Sequence, residues 1–527
     1  MVRDSMWGIW GGSMKCVLMI FAAATVTTAA VNGELTAAGT RSCESLASLT
    51  LPGTTITFAK AVDAGEFTPP VPVGGTAPRP AAVQAFRSLP AFCRVAAALK
   101  PSSDSDIRIE VWMPVSGWNG KFQGVGNGGW AGSISYPALA TALAAGYATA
   151  STDTGHVGNT AAFAVGHPEK LVDMGYRAVH EMTVQGRAIV DAYFGSRPTR
   201  SFWNGCSQGG RQAITEAERY PADYDAILAG APGIYNMELH VTRVALNAFV
   251  HRTADSSIPP EKYAMVHDAV LAACDARDGV KDGVIDNPTR CAFDPGVLAC
   301  KGADGPSCLT TAQVETMRAL YGPIKNAEGA IVSPPLLQPG TELGWATLAG
   351  PKPLGLATEA MQYVVFKDAS WDWHRFNPAT DIDLALRSDE RVLGLTDPNL
   401  KPFFDRGGKL LMYHGWGDPQ VPAQNTVRYF NDVVKTTGKA VVGKSVQLYM
   451  VPGMGHCQGG PGTDTFDKMG TIEHWVETGR APEQIIASHM KDGKVDRTRP
   501  LCPYPQVAQY KGTGSTDEAA NFICKAP

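Results

Sequence analysis

The apolar positions of this chain predict strands and helices that alternate along the sequence. Short apolar runs are typical of buried strands, and the longer amphipathic runs between them are typical of helices. The predicted strands lie at 107–113, 147–151, 200–204, 226–229, 409–413 and 445–451, and the predicted helices at 136–145, 170–194 and 210–220. Strands that are joined by helices pair in parallel. The pattern therefore predicts an α/β fold with a parallel sheet.

This alternation is interrupted between residues 234 and 395. The interrupting stretch is rich in Pro, Gly and Cys, and we expect it to form a lid that is inserted into the sheet domain. A chain of 527 residues is long enough for such an insertion. The expected organisation is a leader (1–33), the first part of the α/β sheet domain (34–233), the lid (234–395) and the second part of the sheet domain (396–527).

The N-terminal region carries a short apolar run that resembles a secretory signal. The run from Cys16 to Val26 follows Lys15 and ends in small residues. It is shorter than the ~20 apolar residues of a membrane-spanning helix. Translation from Met14 would place Lys15 directly ahead of the run. We therefore expect a secreted or periplasmic protein that has no membrane attachment once the signal is removed.

The charge of the chain makes a nucleic-acid partner improbable. The formal net charge is -4, and no sustained basic stretch occurs. A protein that binds phosphate backbones or anionic lipids needs a positive surface. We expect no nucleic-acid partner, and the sequence does not define an oligomeric state.

The cysteines predict disulfides. Cys16 lies in the leader, and the other ten of the 11 cysteines form an even set without a CxxC pair or a cluster at zinc spacing. An even number of cysteines in an exported protein indicates disulfide bonds. We expect five bridges.

Three separate segments carry the pattern of a serine hydrolase. Ser207 is the centre of a G-x-S-x-G pentapeptide between a predicted strand and a predicted helix, which is the context of a nucleophile elbow. Asp418 and His456 each follow a later predicted strand, in the order that α/β-hydrolases use. We predict Ser207 as nucleophile, His456 as general base and Asp418 as the residue that orients the base. The alternative is a chance Gly-Ser turn with an unrelated Asp and His.

Two cysteines flank the predicted catalytic pair. Cys206 precedes Ser207, and Cys457 follows His456. If the serine and the histidine lie within hydrogen-bond reach, the cysteines are close enough for a disulfide. Cys206 as nucleophile is a poorer interpretation, because the elbow exposes its central residue.

The predicted oxyanion hole draws on two segments. One donor is the backbone N–H after the nucleophile, at Gln208, and the other comes from an early loop. Within the glycine-rich stretch 126–129 we choose Gly128 and Gly129, although a plain tight turn is an alternative. This machinery needs no organic cofactor for two-step acyl transfer.

An acidic loop within the predicted lid suggests a cation site. Residues 275–286 contain four aspartates among turn-forming glycines. Crowded carboxylates repel one another, and Ca²⁺ binds carboxylate and carbonyl oxygens together. Calcium is therefore expected, while a solvated acidic turn is the alternative. The spacing differs from that of an EF-hand loop.

These motifs together resemble the tannase and feruloyl esterase family, which includes a mono-hydroxyethyl terephthalate hydrolase. The residues that carry the resemblance are Cys206-Ser207, Asp418 and His456-Cys457, together with segments 118–120, 128–129, 153–156 and the acidic loop. The resemblance extends over nearly the whole mature chain. It implies an exported α/β-hydrolase fold with a calcium-binding lid.

The resemblance also implies ligands, bridges and substrates. The implied calcium ligands are the side chains of Asp275, Asp278 and Asp282 and the carbonyls of Val280 and Val284, with Asp286 as a possible extra. The implied further bridges are Cys43–Cys93, Cys274–Cys291, Cys300–Cys308 and Cys502–Cys524. The implied substrates are small esters of aromatic acids, and the candidate acid-pocket residues in the lid are Trp371, Trp373, Arg375 and Phe376.

Several alternative functions stay open at this stage. If Arg375 paired with a substrate carboxylate, the substrates would be terephthalate-type monoesters. The same fold also serves peptidases and thioesterases, and a non-catalytic binding protein is a rival from another class. A panel of ester, amide and thioester substrates separates these functions.

Overall fold

A nine-stranded mixed sheet forms the centre of the fold. The computed structural model describes residues 41–70, 80–130, 132–389, 391–394 and 397–527, and the predicted leader lies outside them. The strands are β1 (Thr54–Val62), β2 (Phe92–Leu99), β3 (Ile107–Pro114), β4 (Lys121–Val125), β5 (Ala148–Thr152), β6 (Arg200–Cys206), β7 (Ala226–Gly230), β8 (Ile324–Lys325), β9 (Ile331–Ser333), β10 (Lys409–Gly415), β11 (Val446–Val451), β12 (Ile485–Lys491), β13 (Lys494–Leu501), β14 (Val507–Tyr510) and β15 (Phe522–Lys525). The order across the central sheet is β1-β2-β3-β5-β4-β6-β7-β10-β11.

The helices follow the strands in the predicted alternation. They are α1 (Pro80–Arg87), α2 (Tyr136–Ala144), α3 (Pro168–Val172), α4 (Ala178–Phe194), α5 (Gln208–Arg219), α6 (Asn236–Val250), α7 (Tyr263–Cys274), α8 (Thr311–Leu320), α9 (Ala346–Ala349), α10 (Gly355–Glu359), α11 (Pro378–Ser388), α12 (Lys401–Asp405), α13 (Ala423–Thr437) and α14 (Lys468–Thr478). A π-helical turn joins α3 to α4. The predicted long helix at 170–194 is therefore one helical run with a turn of different pitch.

The prediction of a parallel sheet applies to six strands. β5, β4, β6, β7, β10 and β11 pair in parallel, whereas β1, β2 and β3 pair antiparallel, and β3 joins β5 antiparallel. Only residues 100–106 connect β2 to β3. A parallel crossover needs a dozen or more residues, so this short connection produces an antiparallel pair.

Two apolar layers cover the faces of the sheet. Along β10, Leu410 and Met412 belong to one buried cluster, and Leu411 and Tyr413 belong to the other. Side chains of successive strand residues point to opposite faces. The nearly continuous apolar run of this strand therefore reflects burial on both sides, as expected for a central strand.

A helical segment lies between β7 and β10, where the lid is predicted. It runs from α6 to α11 and contains the small hairpin of β8 and β9. Two apolar clusters lie in this segment, one around Trp345 and the other around Met361 and Trp371. The boundaries 234–395 and the division into domains stay predictions.

Five disulfides connect the part of the chain that the structure describes. They are Cys43–Cys93, Cys206–Cys457, Cys274–Cys291, Cys300–Cys308 and Cys502–Cys524, and they join the same pairs that geometry and resemblance suggested. Within the described residues, no helix combines the length and apolar character of a membrane span.

Candidate active site

Ser207 lies in a sharp turn between β6 and α5. Its φ is 64° and its ψ is -119°, a region that a non-glycine residue rarely adopts. Neighbouring glycines make the turn possible. A Cβ on Gly126 would lie 2.5 Å from the Cα of Gly209, and a Cβ on Gly205 would overlap the Gly209 carbonyl. The strained turn at Ser207 therefore requires two glycine-rich segments to approach each other more closely than side chains would allow.

The three predicted catalytic side chains form one chain of hydrogen bonds. The Ser207 hydroxyl lies 2.8 Å from His456 Nε2, and His456 Nδ1 lies 2.7 Å from Asp418 Oδ2. A carboxylate only accepts, so Nδ1 carries the proton and Nε2 accepts from the serine. This tautomer allows His456 to remove the proton of Ser207.

Asp418 accepts hydrogen bonds from a second histidine besides His456, and both stabilise its anion. Burial alone would raise its pKa, but hydrogen bonds from His414 and His456 outweigh burial and lower the pKa below its ordinary value. His414 Nε2 lies 3.1 Å from Asp418 Oδ2 and 3.1 Å from the Val421 carbonyl, and Thr426 bonds to its Nδ1. Since the carbonyl can only accept, Nε2 of His414 donates. Nothing in the sequence segment that contains His414 and Asp418 predicted that His414 donates a hydrogen bond to Asp418.

A disulfide ties the nucleophile turn to the histidine loop. Cys206 and Cys457 are joined with a Cα–Cα distance of 6.0 Å. Cys457 has a φ of 67°, so the histidine loop turns sharply directly after His456. The bridge therefore lies one residue from Ser207 and one residue from His456, whose hydroxyl and imidazole form a hydrogen bond.

The predicted oxyanion donors lie on two sides of Ser207. Gln208 is the first residue of α5, and the N–H groups of a first helical turn have no intrahelical acceptor. Gly129 lines the cavity that contains Ser207 and has a φ of 57°. Gly128 does not line this cavity. The geometry thus favours Gln208 and Gly129 of the three predicted residues.

A narrow cavity opens beside Ser207. Trp130, Leu356 and residues of α6 line it, and about 40 Å³ is available to water. On α6, the polar residues Asn236, His240 and Arg243 line the cavity. Sequence analysis did not select them.

The predicted acid-pocket residues lie away from this cavity. Trp371 is buried in the lid cluster that contains Met361 and stacks on Phe366 at 5.1 Å. Arg375 is exposed. Neither residue lines the cavity that contains Ser207. An aromatic-rich sequence segment indicates a packed cluster, but it does not indicate which surface that cluster faces.

The acidic loop has the donor chemistry of a calcium site. Asp275 accepts the backbone N–H groups of Asp282 and Gly283 at 3.2 and 3.1 Å, which closes the loop. Burial and the neighbouring aspartates raise the pKa of Asp278 to about 6 and that of Asp286 to about 7. Such shifts indicate negative charge that is poorly compensated. The donor set therefore fits a hard cation.

The carboxylates of this loop are not gathered around one point. Arg499 bonds to Asp282 at 2.7 Å and neutralises part of its charge. Among the described residues, the group of three metal-ligating side chains whose ligand atoms all lie within 4.8 Å is Cys300, Asp304 and Cys308. Its two cysteines form a disulfide and are unavailable to a metal. A cation in the acidic loop would therefore have to draw the aspartates closer together.

Comparison with known proteins gives consistent matches. A sequence profile described as "Tannase and feruloyl esterase" matches residues 93–525. An uncharacterised esterase of Xanthomonas campestris pv. campestris is 38% identical, with 94% of each chain covered. A mono(2-hydroxyethyl) terephthalate hydrolase of Piscinibacter sakaiensis is 32% identical, with 84% of this chain and 86% of the relative covered.

A solved structure matches the fold over nearly its whole length. It is feruloyl esterase B of Aspergillus oryzae, with 28% identity and a TM-score of 0.85. The match covers 92% of this chain and 99% of the other. The prediction of an α/β-hydrolase fold is confirmed.

Proposed function

This chain belongs to the tannase and feruloyl esterase family and is a carboxylic ester hydrolase, and we propose that it cleaves esters of aromatic, phenolic acids through an acyl-enzyme on Ser207. The observation that carries this proposal is the hydrogen-bonded chain from Ser207 through His456 to Asp418. An isolated serine hydroxyl is a weak nucleophile, and this chain supplies the base that activates it.

The reaction proceeds in two steps. The Ser207 oxygen attacks the ester carbonyl while its proton passes to His456 Nε2, and the imidazolium then protonates the leaving alcohol. Water, deprotonated by His456, hydrolyses the acyl-enzyme and restores the serine. Asp418 stays ionised throughout, because two histidines donate hydrogen bonds to it. Its negative charge stabilises the imidazolium that forms in each step.

The N–H groups of Gln208 and Gly129 stabilise the oxyanion. The first lies at the N-terminal, positive end of α5, and the second lines the cavity that contains Ser207. Donors that are fixed before the reaction cost no reorganisation when charge develops on the carbonyl oxygen. No organic cofactor enters these steps.

A hydrolysis screen tests this function. Methyl gallate, methyl ferulate, methyl p-coumarate and monomethyl terephthalate are incubated with the wild type and with Ser207→Ala, and product acids are quantified by chromatography. We expect the wild type to cleave the phenolic esters and the variant to cleave none measurably. Turnover restricted to the terephthalate ester supports the alternative suggested by the Piscinibacter relative. A folded wild type that cleaves none of the four esters contradicts the proposal.

We also propose that the acidic loop binds calcium. The ligands would be the carboxylates of Asp275, Asp278 and Asp282 and the carbonyls of Val280 and Val284. The support is a loop of four buried or partly buried aspartates, in which burial and the neighbouring carboxylates raise the pKa values of Asp278 and Asp286. A bound cation would neutralise this charge and stabilise the loop, which Cys274 and Cys291 already close. The site is structural and takes no part in ester cleavage.

We also propose that the protein is exported from the cytoplasm. The leader-like N-terminal run and five disulfides support a secreted or periplasmic location, because disulfides persist in oxidising compartments. N-terminal sequencing of the protein from culture medium or periplasm gives the direct measurement.

A further inference from the structure

One face of α6 presents polar side chains to the cavity at Ser207. Asn236, His240 and Arg243 are spaced by four and three residues, so they lie on the same side of the helix. All three are at least nine-tenths buried and line the cavity that contains Ser207. Most other buried residues of α6 are apolar. The polar face is therefore directed toward the place where the acyl group must bind.

Two of these side chains have buried polar atoms without a partner. Within the described part of the chain, Asn236 Oδ1 and His240 Nδ1 make no hydrogen bond. A buried polar group that has lost water and gained no partner destabilises the fold. Such groups persist beside an active site when a ligand supplies the missing bonds.

Arg243 is engaged differently. Its Nε and Nη2 both donate to one acceptor, the carbonyl of Gln420, at 3.2 and 2.6 Å. Burial lowers the pKa of its guanidinium to about 10, and the negative charge of Asp418 offsets only part of this effect. Arg243 is thus a buried cation whose hydrogen bonds all go to one backbone carbonyl and whose charge is compensated only in part.

His240 is neutral in this environment. Burial is the main cause, and the nearby cations Arg243 and Arg211 act in the same direction, so its pKa lies well below the ordinary value. A neutral imidazole offers one donor and one acceptor. The ring also stacks on Trp130 at 5.4 Å, and both residues line the cavity that contains Ser207.

We propose that Asn236 and His240, beside Arg243, form the subsite that binds the ring hydroxyl groups of the substrate's acid. This inference rests on the proposed function and specifies which part of the site selects the acid. A hydroxyl both donates and accepts, so it satisfies an amide oxygen and an imidazole together. A carboxylate only accepts and would leave the Asn236 oxygen unpaired. The subsite therefore selects hydroxylated over unsubstituted aromatic acids.

The test compares esters that differ by one group. Methyl p-coumarate and methyl cinnamate differ by a single ring hydroxyl, and monomethyl terephthalate carries a carboxylate. We expect kcat/KM of the wild type to be at least about 10²-fold higher for the p-coumarate than for the cinnamate, because a subsite that is left unpaired rejects the analogue. Asn236→Leu and His240→Phe should each reduce this ratio by about tenfold or more. The loss in kcat/KM should be larger on the hydroxylated ester than on the cinnamate.

A matched control lies on the same helix. Thr242 is fully buried, but its hydroxyl already donates to the Glu238 carbonyl at 2.7 Å. Thr242→Val removes a buried polar group that does not face the cavity, and it should leave the substrate ratio unchanged. Melting curves of all three variants verify that they are folded.

A binding measurement keeps the test independent of variant folding. Calorimetric titration of the wild type with free p-coumaric and cinnamic acids should give at least about tenfold tighter binding of the hydroxylated acid. Equal affinities overturn the subsite, and so does an unchanged ratio in folded Asn236→Leu and His240→Phe. A preference for monomethyl terephthalate that these variants abolish overturns the choice of hydroxyl over carboxylate. If the folded wild type cleaves no ester, the proposed function itself fails, which is a distinct result.

Discussion

Removal of the Cys206–Cys457 bridge should reduce activity more than its effect on stability explains. The perturbation is the double variant Cys206→Ala/Cys457→Ala, and the matched control is Cys502→Ala/Cys524→Ala. The first bridge spans 251 residues and the second spans 22. The loop-closure relation then assigns about 5 and about 3 kcal/mol to their effects on the free energy of unfolding. Both variants should therefore melt at lower temperature than the wild type.

Only the first variant should lose catalysis while it is still folded. Cys206 and Cys457 are adjacent to Ser207 and His456, whose Oγ and Nε2 atoms lie 2.8 Å apart. A displacement of about 1 Å at such a contact lowers the rate about 10²-fold. The control bridge lies in the C-terminal hairpin region, where β13 is followed by β14 and β15. Its loss should leave kcat within about twofold of the wild type.

The assay separates the two effects by temperature. Melting is followed by circular dichroism, and kcat and KM on methyl ferulate are measured at least about 15 °C below the lower melting midpoint, where both variants are folded. Peptide mapping without reductant verifies the pairing in the wild type. If the two double variants have the same kcat, the bridge only stabilises the fold, and the positional argument is refuted.

Three further predictions follow from the same geometry. Ser207→Ala should lower kcat/KM by about 10³-fold or more with an unchanged melting curve, and a folded variant with most of its activity would disprove the catalytic assignment. Chelator should lower the melting temperature of the wild type but not that of Asp275→Asn, and metal analysis should find calcium only in the wild type. If the wild type binds no metal and its melting temperature is unchanged by chelator, the acidic loop is a solvated turn. Glu216 is fully buried, and burial followed by the nearby carboxyl group of Asp223 raises its pKa well above 4.5. Because the folded pKa is the higher one, the contribution of Glu216 to stability falls as pH rises above about 4.5. The melting temperature of Glu216→Gln should therefore decline less between about pH 5 and 8 than that of the wild type, and equal declines would contradict the assignment.

The convergence of the catalytic residues was predictable because the strands before them are parallel. Ser207, Asp418 and His456 follow β6, β10 and β11, which lie with β7 in one parallel part of the sheet. The carboxyl ends of parallel strands meet at the same edge. A local pattern of a strand followed by a polar loop is therefore enough to predict that these three residues, which are distant in sequence, lie together in the fold. Cys206 and Cys457 are adjacent to two of these residues, so their pairing is predicted by the same argument.

Other parts of the site have no local signal. Asn236, His240 and Arg243 have the spacing of a polar helix face, and most such faces lie in water. Only the packing of α6 over Ser207 makes them part of the cavity. His414 ends a buried strand, and its bond to Asp418 depends on the turn that follows. Trp371 and Arg375 were predicted for the acid pocket. In the fold, Trp371 is buried in the cluster that contains Met361, and Arg375 is exposed.

The position of Arg243 links substrate binding to the catalytic acid. The turn after Asp418 is closed by its own carboxylate, which accepts the N–H groups of Gln420 and Val421 at 2.8 and 3.0 Å. Arg243 holds the same turn from the opposite side, through the Gln420 carbonyl. The helix that carries the proposed hydroxyl subsite therefore also supports the acid loop. A variant that displaces α6 is therefore expected to disturb both the cavity beside Ser207 and the turn that holds Asp418.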